Sequence, residues 1–118
     1  NDWGTDYYSF PAGATLADGD VWVVANEGAT QAILDQADDI LAYNAGGYVV
    51  SFNGNDARGL FKINGKDEVL LDVIGVPGID PGDGWDVAGV SAATKDHTLV
   101  RKSSVSAGDT DWETSAGT

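Results

Sequence analysis

The chain of 118 residues contains no Cys. It therefore has no disulfide framework, no thiolate metal ligand and no cysteine nucleophile, while its cellular compartment stays open. Met is absent as well, so the chain as given does not begin at an initiator, and we read it as a processed product or fragment of a longer protein. His97 is the single histidine. A His-dependent triad would have to recruit Ser91, Ser103 or Ser104 and an Asp, and no nucleophile-elbow pattern supports one. Basic residues are scarce, with six Lys or Arg against 19 Asp or Glu and a formal charge of -13. A bare duplex or an anionic lipid surface is repelled over about 8 Å at physiological salt, so nucleic acid is not an expected partner of this segment. Apolar runs fall far short of the roughly 20 residues that span a bilayer, and no charged stretch followed by an apolar one marks a leader. Membrane insertion is not expected.

What the chain does have is glycine. Sixteen Gly and three Pro interrupt it at short intervals and leave apolar runs of strand length between them. That spacing predicts an antiparallel all-β domain, and the length suits one domain over residues 1–118 with a modest core. Expected strands are "YYSF" (Tyr7 to Phe10), closed by Pro11, and "DVWVVAN" (Asp20 to Asn26). In "EGATQAILDQADDILAY" apolar residues recur at spacings of three and four, with Thr30 in the N-cap position, which predicts a short helix over residues 30–36.

From "GGYVVSF" onward three strand-like runs are separated by "NGND" and "NGKD", both holding the Asn-Gly pair that accepts positive φ in tight turns. A β-meander is the direct reading. In its third run strict alternation places Val69, Leu71 and Val73 on one face and Leu70, Asp72 and Ile74 on the other, so both faces are largely apolar and the strand is either central or partly covered by something else. The segment "VPGIDPGDGWDVAGVSAATKD" reads as a long irregular connection, and "HTLVRKSSV" as a last strand.

Four ordered motifs, "FNGNDARGLFKING" (Phe52 to Gly65), "LLDVIGVPGIDPGDGW" (Leu70 to Trp85), "KDHTLVRKSSV" (Lys95 to Val105) and "DTDWETSAGT" (Asp109 to Thr118), together resemble the bacterial lamin-tail domain from about Leu16 onward. The resemblance implies an Ig-like antiparallel β-sandwich, here with one short helix and without the family's first and last strands. It also implies a secreted or cell-surface bacterial accessory module with no catalytic residues, and it places Trp85 and Trp112 in packing positions.

Several residues are candidates for binding. Trp3, Tyr7 and Tyr8 could present rings to a polysaccharide, as in a carbohydrate-binding module beside a secreted hydrolase or nuclease. Asp80, Asp83 and Asp86, with Asp72 nearby in sequence, surround the "IDPGDGWD" loop and supply the hard oxygen ligands that calcium needs, although their spacing is neither the EF-hand pattern nor the nonapeptide repeat. A calcium-stiffened adhesin would use them. A sandwich lacking edge strands exposes backbone donors and acceptors, and Val69, Leu71, Val73 and Ile74 then become candidates for assembly by strand exchange with another copy or another extracellular protein. The expected function is non-catalytic contact and assembly.

Overall fold

The computed structural model of the chain describes residues 3–117. The fold is β-rich, with two small sheets and only short helices. Its residues group into two compact units, 4–52 on one hand and 53–117 together with Trp3 on the other.

In residues 4–52, β1 (Val24–Asn26) pairs in parallel with β2 (Asp39–Leu41), Val24 standing opposite Asp39 and Asn26 opposite Leu41. Parallel neighbours need a crossover of about a dozen residues. Residues 27–38 provide it, and α1 (Gln31–Leu34) lies within them. The expected antiparallel pairing does not hold here, because the helical spacing read in the sequence carries the chain back to start the next strand in the same direction. Thr30 occupies the N-cap with extended backbone, but its side chain makes no capping bond. After Leu34 the backbone tightens, with Gln36 N–H donating to Ile33 O and Ala37 N–H to Leu34 O, so regular helix stops short of residue 36.

Residues 7–10 form no strand. Pro11 has no N–H to give and the chain turns there, Ala14 N–H donating to Pro11 O, so the aromatic run pairs through its rings instead. Tyr8 meets Phe10 edge-on at 5.4 Å between centroids, and Phe10 meets Trp22 at 6.0 Å. "GGYVVSF" is not a strand either. It opens in a 3-10 turn (Ala45–Tyr48) and is held by Asn26 Nδ2 donating to Ser51 Oγ at 2.7 Å.

Residues 53–117 contain the principal hairpin, β3 (Arg58–Asn64) antiparallel to β4 (Asp67–Ile74). Of the two turn residues only Gly65 has positive φ, at 66°, the pattern of a II′ turn with glycine first. The second Asn-Gly pair does a different job. Gly54, with φ 108°, is buried where its carbonyl accepts from Thr94 Oγ1 at 2.6 Å, and a Cβ there would stand 2.8 Å from Lys95 Cα. Close approach of two backbones, and not a hairpin, explains that glycine.

The hairpin ladder contains a bulge. Leu60 pairs with Asp72 but Phe61 pairs with Leu70, which leaves Leu71 without an opposite residue. The extra residue re-phases β4, so Leu70 and Val73 share a face with Gly59, Phe61 and Ile63. This corrects the grouping expected from strict alternation for Val69, Leu71 and Val73. The opposite face carries Arg58, Leu60, Lys62, Asn64, Asp67, Val69, Asp72 and Ile74.

Residues 97–105 form no strand, and the tail unexpectedly forms α2 (Trp112–Ala116). Asp111 caps it by accepting from Thr114 N–H at 3.0 Å, with Glu113 in its first turn and Gly117 closing it in the left-handed region. Hydrophobic burial is small. Among the described residues the buried apolar side chains are Ala25 in one unit and Val73, Trp85, Ala93 and Ala116 in the other.

Candidate functional site

Trp85 organises residues 53–117. Its Nε1–H donates to Asp56 O at 3.3 Å, its backbone N–H donates to Thr94 Oγ1 at 2.7 Å, and its ring meets Trp112 of α2 edge-on at 6.4 Å. Gly75, with φ 76°, lies under the indole, where a Cβ would be 2.5 Å from Trp85 Cε2. One side chain thus gathers the end of β4, two loops and α2. The packing positions implied for Trp85 and Trp112 agree with this geometry.

A second junction forms at the bulge. Asp72 Oδ1 accepts from Arg101 Nη2 at 2.8 Å, from its neighbour Val73 N–H at 3.0 Å and from Asp109 N–H at 3.0 Å. Val73 N–H also reaches Asp109 O at 3.1 Å, and a Cβ on Gly108 would collide with the Leu71 carbonyl. Partial burial by itself raises the Asp72 pKa. The Asp109 N–H, the Arg101 guanidinium and the Val73 N–H outweigh it and hold the carboxyl below its ordinary value. The irregular segment 101–109 is therefore fastened to β4 through one carboxylate, a role that spacing did not reveal.

One hairpin face holds partly exposed apolar side chains. Leu60, Val69 and Ile74 are 45%, 49% and 37% exposed there, among Arg58 and Lys62. The other face receives Trp3, whose ring meets Phe61 edge-on at 5.2 Å and leaves no room for a side chain at residue 59.

The three aromatic candidates are thus divided. Trp3 packs half-buried on the hairpin, whereas Tyr7 and Tyr8 belong to the other unit. Tyr8 Oη–H donates to Asp39 Oδ2 at 2.8 Å. Burial raises the pKa of this hydroxyl, and the Asp39 carboxylate raises it further. The Trp22 N–H facing it offsets part of that rise, yet the contact falls short of hydrogen-bond geometry and the buried Trp22 Nε1 has no partner among the described residues. Tyr7 is 73% exposed. Tyr43 and Tyr48, which the sequence did not single out, form an exposed edge-on pair at 5.3 Å.

The acidic loop residues are each engaged separately. Asp80 Oδ1 accepts from Gly82 N–H, Asp83 faces Lys95 Nζ at 3.6 Å, and Asp86 Oδ1 accepts from Ala92 N–H. Among the described residues no three acidic or imidazole groups stand as close together as a metal ion requires. His97 Nδ1 donates to the Lys95 carbonyl, two residues away. Among the described residues no helix is long and apolar enough to cross a membrane. No family model matches the chain, and no curated protein or solved structure matches it either.

Proposed function

We propose that the chain is a non-catalytic extracellular module for protein contact and assembly, built on a lamin-tail-like, Ig-type sandwich. The observation that carries this reading is the state of its sheets. Each has two strands, so every strand is an edge, and a pair of strands buries too little to be stable unaided. From outside the hairpin, the loop backbone reaches it where Val73 N–H donates to Asp109 O. The exposed apolar side chains of β3 and β4 point the same way, because their burial on a partner would add the apolar contact that the unit itself supplies sparingly.

Light scattering and electron microscopy over a concentration series, with and without Ca²⁺, test the reading. Concentration-dependent, ordered polymers are expected. A monodisperse monomer at every concentration overturns it. The exposed Tyr7 and the Tyr43–Tyr48 pair favour a second reading, a stacking surface for sugar rings, which predicts a change in intrinsic fluorescence on glycan addition.

A further inference from the structure

Two asparagines of this chain precede glycine, Asn53 before Gly54 and Asn64 before Gly65. A glycine nitrogen has no adjoining Cβ to hinder it, so it can reach back to the carboxamide carbon of the residue before it. What differs between the two pairs is the freedom of the peptide that must move. Gly54 is buried, its carbonyl accepts from Thr94 Oγ1 at 2.6 Å, and a Cβ on it would stand 2.8 Å from both Lys95 Cα and Thr94 O. Turning the Asn53–Gly54 peptide would break that contact. By contrast Asn64, Gly65 and Lys66 are all exposed, a Cβ on Gly65 would meet nothing within 4 Å, and the Gly65 N–H makes no hydrogen bond among the described residues. The pair Asn64 with Asp67 is the last of the ladder, and terminal pairs open at the least cost.

We infer that Asn64 is a site of spontaneous deamidation selected by the fold, while the clamp on Gly54 protects Asn53. The Gly65 nitrogen attacks Asn64 Cγ, the new N–Cγ bond forms as the Cγ–Nδ2 bond breaks, and ammonia leaves with the proton that the nitrogen gives up. Water then opens the cyclic imide. Opening at Cγ restores the ordinary backbone with a carboxylate side chain, whereas opening at the backbone carbonyl leaves an isoaspartyl linkage whose main chain is longer by a methylene. Solvent water is the co-reactant, and nothing is oxidised or reduced. Either product puts a negative charge at residue 64, whose ladder partner is Asp67, and like charges directly opposite destabilise a sheet. The isoaspartyl form also lengthens β3 beside a two-residue turn, where loop length fixes the register, so it should undo the pairing at that end.

The test incubates the folded full chain in mildly alkaline buffer and follows each asparagine by peptide mapping, which reads the mass difference between carboxamide and carboxylate and separates the two products. Asn64 is expected to convert about tenfold faster than Asn53, or more. In urea the two rates should become similar, because each asparagine then has the same glycine neighbour and no fold around it. Thr94→Val removes the hydroxyl that holds Gly54 and should speed conversion at Asn53 while leaving Asn64 unchanged. If that variant fails to fold, the comparison of folded and urea-treated parent decides alone. Equal rates in the folded chain overturn the inference, as does a folded chain in which neither asparagine converts while both convert in urea. A preference for Asn64 that persists undiminished in urea takes the fold out of the explanation and overturns it as well.

Discussion

In residues 53–117 a buried indole stands where a strand end, two loops and a helix meet, whereas in residues 4–52 the rings lie half-exposed and Ala25 is the buried apolar side chain among the described residues. The first unit concentrates its stability in a few junctions. The second spreads it over edge-on ring contacts, a three-residue parallel ladder and single side-chain bonds such as Tyr8 to Asp39. The difference teaches where a substitution should be felt: severely at a junction, and mildly anywhere in the distributed unit.

The largest break in that contrast should come from Trp85→Ala. Removing the ring empties the space between Gly75 and Trp112, and we expect a loss of about 3–5 kcal/mol in urea unfolding followed by near-ultraviolet circular dichroism. A loss under about 1 kcal/mol would show that Trp85 is not the centre of its unit. Asp72→Asn comes next, at about 1–2 kcal/mol after allowance for the exposure of Arg101, with hydrogen exchange quickening at residues 101–109. Because the folded carboxyl titrates below its unfolded value, its contribution is present above about pH 4 and is lost as pH falls through the folded pKa. Thermal unfolding between pH 6 and pH 2.5 should therefore show an acid destabilisation that is reduced in the Asn variant, and equal losses in both would refute the assignment.

Tyr8→Phe samples the distributed unit. It removes the bond to Asp39 and should cost about 1 kcal/mol or less, readable as a small shift in chemical denaturation. A larger cost would mean that residues 4–52 possess a junction of their own. The smallest effect is a gain. Ala88 and Gly89 form a tight turn with φ of 50° and 81°, and Ala88→Gly relieves a left-handed alanine, for an expected stabilisation of about 0.5 kcal/mol in the same assay.

Legibility from sequence followed the locality of the signal. The β3–β4 hairpin was readable because Asn64-Gly65 and its flanking apolar alternation lie within one short stretch, and the helix near Thr30 was readable from its spacing. The expected strand at residues 97–105, with Leu99 and Arg101 on one face and Val100 on the other, failed because it finds no ladder partner, and Arg101 is used as an anchor for Asp72 instead. Tyr7 to Phe10 misled for the same reason. A strand is defined by its neighbour, and alternation describes only one side of the pair. α2 carried a cue in Asp111, Glu113 and Gly117, a cap, an acidic first turn and a glycine stop, but its five residues are too few for periodicity to register. The Asp72 junction had no local cue, since the two donors that fasten the loop to it, on Arg101 and Asp109, lie 29 and 37 residues away in sequence.

The unpaired Leu71 makes the length of β4 separable from its register. Deleting that residue would leave every remaining pair of the ladder opposite the partner it has now, from Arg58 with Ile74 to Asn64 with Asp67. A one-residue deletion, ordinarily the most disruptive change a strand can suffer, would here straighten the hairpin. What it would forfeit is the Leu71 carbonyl against which Gly108 packs, so the cost of the change would fall on the attachment of a distant loop and leave the strand itself intact.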